Sequence, residues 1–309
     1  MTRKGPGLLL RDIQRGKDAQ LIALAEILQS VRPDVLVLTK VDFDAELQTA
    51  KALQSFLNFE YSFALPPNSM TPSALDLDGD GKSGDRFTWV RYAGEGAMLL
   101  LSQHPILPHF HLNDLLWKDV PEALMPIRAD ATPFPSPAAQ EVMPIVGQGL
   151  WVVQIGERTE DSFTLVAFQN QTPVFDGPED MNGLRSSAQL GLLSKVMDGT
   201  YGAFPDQRFA LIGNSNLDPN RGQGDREAMR ALLRDPRLQD PMPSSPLGDD
   251  ATAIWDKAGN MRVSYILPSK DWIVPRAAVV WPSEGPLHIA AEQASRHRLI
   301  WMDLTPSPP

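Results

Sequence analysis

Five short apolar runs, each closed by glycine or polar residues, constrain this chain more than any other feature. They are "DVLVL" (34–38), "AMLLL" (97–101), "LWVVQI" (150–155), "FTLVAF" (163–168) and "FALI" (209–212). Runs of this length bounded by turn residues read as buried strands. Further short strands are expected at 262–267, 278–281 and 299–302. Between them the period changes. Leu21, Leu24 or Ala25, Leu28 and Val31 fall on one helical face, which Pro33 closes. Helical patterns recur at 44–57 and at 184–198, where Gly199 ends the helix. "GERTED" (156–161) reads as the turn of a hairpin, and 60–95 has no regular period. Residues 105–147 are proline-rich around "ATPFPSPAA", so 121–146 is expected to be a surface loop. Early alternation of strand and helix, with hairpins later, predicts one α/β domain of mixed sheets over 1–309.

Composition excludes several classes. The net charge of -10 and pI near 5.0 disfavour general binding to nucleic acid or anionic membranes. Zero cysteines remove disulfides, thiolate zinc sites and cysteine nucleophiles together. No run approaches the ~18 apolar residues of a membrane span. "MTRKGPG" leads into only three leucines before Arg11, too short for the core of a signal peptide. As written the chain therefore defaults to the cytoplasm.

Chemistry is expected where apolar strands run out into polar loops. After 209–212 that loop supplies Asn214, Ser215 and Asn216, with Asp218 as its first carboxylate. "LDLDGDGKSGD" (75–85) places Asp76, Asp78 and Asp80 at alternate positions before Gly81, the opening of a calcium loop. Phe87 stands where the closing glutamate belongs, so structural calcium competes with a plain solvated turn. His297 precedes an apolar strand, which would aim its ring.

The series strand–"LTKVDFD", strand–"QNQTPVFDGPEDMNG", strand–"GNSNLDP", "RVSYIL" and "SRHRLIW" resembles the endonuclease/exonuclease/phosphatase superfamily of metal-dependent phosphoesterases. The nearest likeness is to a bacterial branch carrying "GPGLLLRDI", "LDLDGDG" and "TPPVFDGPEDRNG", matched here by Gly5 to Ile13, Leu75 to Gly81 and Thr172 to Gly183. The resemblance implies a four-layer sandwich, two packed mixed β-sheets flanked by helices. It also implies a divalent ion held by carboxylates, a histidine base oriented by an aspartate, and amides facing the phosphate.

On that resemblance the site is altered. Lys40 stands at the metal-binding glutamate, Asn214 at an aspartate, Arg296 at the aspartate before His297, and Ser264 at the aspartate that orients the histidine. Asn216 and His297 are retained, and the family's second histidine falls near Gln169 or Asn170. Lysine for glutamate and arginine for aspartate add two charges each, and the other two changes one each, moving the pocket about six units positive. The family's first strand would lie ahead of Met1. Its absence should leave a sheet edge unpaired or paired by another segment, and a start upstream of Met1 would leave room for an export signal.

Three functions follow. The leading expectation is a degenerate member that binds a phosphate-containing small molecule through Lys40, Asn216, Arg296 and His297. The second is an active Mg2+ or Mn2+ phosphoesterase with substitute ligands from Asp42, Asp44, Asp218, Asp176 and Asp180. Asp42 is two residues past Lys40, so on an extended segment it would point to the same side. The third is a scaffold whose proline-rich loop meets a protein partner that the sequence does not specify.

Overall fold

The computed structural model describes residues 1–157 and 162–307. The first part contains α1 (Leu8–Arg15), α2 (Ala19–Val31), β1 (Val35–Val41), α3 (Gln48–Phe56), β2 (Tyr61–Phe63), β3 (Ala97–Ser102) and β4 (Ile106–His111). The middle contains α4 (Pro137–Val142), β5 (Gly149–Ile155), β6 (Phe163–Gln169), α5 (Met181–Met197) and β7 (Phe209–Asn214). There follow α6 (Arg226–Leu233), β8 (Ala253–Trp255), β9 (Gly259–Met261), β10 (Ser264–Pro268) and β11 (Trp272–Ile273). The last elements are β12 (Ala277–Val279), α7 (Pro286–Ala294), β13 (Ile300–Met302) and β14 (Thr305–Pro306).

Two sheets carry the architecture. One is three-stranded, ordered β1-β3-β2 with antiparallel pairs. The other is five-stranded, ordered β10-β7-β6-β5-β4, and mixed because β6 and β7 run parallel. They face each other across Met98 and Leu100 of β3, Trp151 and Val153 of β5, and Leu165 and Ala167 of β6. Alternate residues of the same strands point outward. Leu36, Leu99 and Leu101 pack on Leu9, Leu21 and Leu53 of the first three helices. Val152, Val166 and Leu211 pack on Leu193, Val196 and Met229 of α5 and α6. The layers are therefore helix, sheet, sheet, helix. Leu100 and Leu165 are fully buried, and such burial contributes ~1.5–3 kcal/mol per side chain.

The apolar runs form strands where the sequence places them, and α2 begins where the Asp18 side chain caps Leu21 N. The 105–147 segment differs from a plain surface loop. It contains β4 and α4, and Ala139, Met143, Ile145 and Val146 are buried. The buried Arg185 donates to the carbonyls of Phe87, Pro144 and Ile145, and Gln189 donates to Ile145 as well. Proline content marked the lack of repeat, but these long-range contacts decide what is buried. The turn expected after β5 falls on residues 158–161, outside the described residues. Among the described residues, no helix is long and apolar enough to cross a membrane.

Candidate functional site

The C-terminal ends of β1, β6 and β7 reach the same end of the sandwich. Asn214 closes β7 opposite Gln169 of β6 and Ser264 of β10. Gly213 makes this approach close, since a Cβ there would lie 2.0 Å from the Phe168 carbonyl oxygen. Asn214 is buried, and its Nδ2 donates to Asn216 Oδ1 at 3.0 Å. Asn214 Oδ1 accepts from Asn216 N, also at 3.0 Å. Asn216 adopts φ 57°, a left-handed conformation that asparagine tolerates, and its Nδ2 donates to the Asn170 carbonyl at 2.7 Å. The Asn216 amide thus belongs to a closed amide network. The Asn170 Nδ2 donor and the Gln169 Oε1 acceptor beside it are buried and lack protein partners. Gln169 closes β6 and Asn170 directly follows it, so both residues named from the sequence lie at this strand end.

Lys40 interrupts β1. The register slips between Leu38 and Val41, and Lys40 sits at φ 55°. A left-handed lysine costs on the order of 1 kcal/mol and re-aims the side chain. The alternation that would have put Asp42 beside Lys40 is lost at this bulge. Lys40 is exposed, whereas Asp42 is buried and accepts from Tyr92 Oη at 2.7 Å and Arg3 N at 3.3 Å. Burial raises the Asp42 carboxyl above its ordinary range, with Tyr92 opposing. The protein mass around Lys40 lowers its ammonium, opposed by Glu95, which is itself paired with Arg91.

His297 lies between α7 and β13 in the chain, bridges Ala253 of β8, and is edge-on to Trp255 with ring centroids 5.5 Å apart. Its backbone N donates to Ser295 Oγ at 3.1 Å, and its Nδ1 is buried with no hydrogen-bond partner. Burial first, and then Lys40, Arg296 and the amino group of Met1, together lower the ring to about 4. Every charge that shifts this ring is a cation. The imidazole is therefore neutral at pH 7. Ser264 pairs with Asn214 across the sheet.

The other carboxylates named from sequence do not join this cluster. Asp218 is buried and accepts from the backbone N–H of Asn220, Arg221 and Arg262. Asp44 accepts from Gln48 N and Thr49 N and caps α3. Asp176 accepts from Asn182 N and Asp180 precedes α5, both exposed. In the calcium-like loop the expected trio also changes. Asp76, Asp78 and Asp85 bring carboxylate oxygens within 4.8 Å of one another, while Asp80 turns to Lys82 at 2.6 Å. Asp85 is anchored by Leu77 N, a contact no alternate-position rule anticipates.

The profile of the endonuclease/exonuclease/phosphatase family matches residues 13–297. The chain belongs to that family. Among solved structures it is similar to an endonuclease/exonuclease/phosphatase from Beutenbergia cavernae, with 16% identity and a TM-score of 0.54. That match covers 94% of this chain and 66% of the other, so this chain spans just under two thirds of that relative. An endonuclease/exonuclease/phosphatase from Bacteroides vulgatus gives 12% identity and a TM-score of 0.51, covering 94% of this chain and 91% of its own. No curated protein matches the chain.

Proposed function

We propose that this family member binds a phosphate-like anion and does not carry out metal-assisted phosphoester hydrolysis. The observation behind the reading is the field at His297, where Lys40 and Arg296 act on the ring and no carboxylate does. Charges ~4 Å apart interact by about 1 kcal/mol in water and about 4 kcal/mol in a partly buried site, enough to turn away a dication and hold an anion. Lys40 and Arg296 would supply charge, and neutral His297 a ring N–H. Asn216 supports the site through Asn214, since its own amide is already engaged. A bound Mg2+ or Mn2+ would supply Lewis-acid polarisation of the phosphoryl oxygen, but the residues at the site do not fit a dication. Asn214 is a neutral amide, and Asp42 and Asp218 hold other partners.

The deciding test is hydrolysis of a chromogenic phosphodiester and phosphomonoester with Mn2+ or Mg2+, beside inorganic phosphate binding followed by calorimetry. The expected result is no metal-dependent turnover and measurable phosphate binding. Turnover abolished by a chelator and by His297→Ala would overturn the reading in favour of an active phosphoesterase.

A further inference from the structure

We propose that Trp255 is a positioning residue that holds the His297 ring in place for the anion. β8 and β9 form a two-stranded hairpin apart from both main sheets. Its first strand is tied to the site on two sides. Arg298 N donates to the Thr252 carbonyl at 2.8 Å, and Ala253 bridges His297. Thr252 is fully buried, and its hydroxyl oxygen accepts from Val263 N at 2.9 Å and from Ser264 N at 3.0 Å. The hairpin therefore joins the start of β10 to the segment that carries His297.

Alternation along β8 sends its side chains two ways. Ile254 packs toward Ala251, Val279 and Trp281. Trp255 is half-buried and belongs to none of the apolar clusters among the described residues. Its cross-strand partner is Gly259, which offers no side chain to pack on. Its ring instead meets His297 edge-on, with 86° between the planes. Core burial does not account for a tryptophan placed in this way. Contact with the imidazole does.

A histidine is usually oriented by a hydrogen bond at one ring nitrogen, which leaves the other to act. His297 Nδ1 is buried with no such bond, so ring packing takes over that task. The charged groups acting on the ring are Lys40 of β1, Arg296 on its own segment and the Met1 amino group. β8 presents Ala253 and Trp255, and Asn214 and Ser264, which line a cavity with His297, are neutral. Removing the indole has two opposed effects. An aromatic neighbour favours an imidazolium, but its bulk keeps water from the ring. Burial leads the causes that hold this ring below its ordinary range, so the second effect outweighs the first. Truncation therefore lets the ring turn and charge more easily. The part played in anion binding rests on the proposed function, whereas the hold on the ring does not.

The test uses the full chain with Trp255→Ala and Trp255→Phe, following the His297 ring by NMR titration and sulfate binding by calorimetry. Sulfate stays a dianion between pH 7 and pH 5, so its binding reports the charge of the protein alone. Trp255→Ala should raise the His297 pKa by about one unit and weaken sulfate binding at pH 7 about tenfold. Its sulfate affinity should then climb as pH falls to 5, while that of the parent chain changes little. Trp255→Phe should keep the titration and the affinity of the parent. An unchanged His297 titration in Trp255→Ala would overturn the inference. So would equal shifts in both variants with equal losses of Tm, the mark of a hairpin that has come loose. Absence of sulfate binding by the parent would overturn the anion reading, and the His297 titration would still decide the role of Trp255.

Discussion

Two charged regions of this molecule have exchanged the roles expected of them. At the strand ends, where the family's chemistry calls for carboxylates around a metal, cations act on a neutral histidine. In the loop at 76–85, the carboxylates of Asp76, Asp78 and Asp85 converge while Lys82 pairs with Asp80. In the first region the Asn214–Asn216–Asn170 amides hold the backbone. In the second, aspartates hold the loop through Gly79 N, Gly81 N and Leu77 N. A carboxylate can therefore be close to others for structural reasons and still present a cation site.

The comparison is broken most severely by reversing the first region. The triple variant Lys40→Glu, Asn214→Asp, Arg296→Asp should gain Mn2+ affinity of at least tenfold by calorimetry, because each repulsive pair removed is worth about 1–4 kcal/mol. Unchanged Mn2+ affinity would show that charge is not what excludes the ion.

The histidine should make stability depend on pH. Its folded pKa of about 4 lies below the ordinary value of 6.5, so between these values the unfolded chain binds the proton and the native one does not. Stability should fall as pH drops from 6.5 to 4, by at most about 3 kcal/mol, less for the ring's partial exposure. Urea titrations at pH 7 and pH 5 check this, and His297→Ala should flatten the difference.

Removing one anchor of the cationic region is expected to do less. Lys40→Ala or Arg296→Ala should each weaken inorganic phosphate binding about tenfold, as for one charge-assisted hydrogen bond. Phosphate affinity unchanged from the parent chain in both variants would place the anion elsewhere.

The smallest effect belongs to the acidic loop. Calcium should raise Tm by a degree or two relative to chelator, and Asp78→Asn should reduce that rise. Identical melting with calcium and chelator would leave the trio as loop structure only.

The sequence by itself determined the strands, the main helices and the family. Buried strands are contiguous apolar runs, and "VFDGPEDMNG" keeps its order along the chain, so both are local signals. It also located Lys40, Asn214, Arg296, Ser264 and His297 at strand ends. Only the tertiary structure decided how those residues act. The bulge at Lys40 separates it from Asp42, and Tyr92, fifty residues away, takes the Asp42 carboxylate. Asp85 replaces Asp80 in the acidic trio through a bond to Leu77 N. Periodicity reports which face of a segment is buried. Which partner a polar group finds depends on chain crossings that carry no local signature.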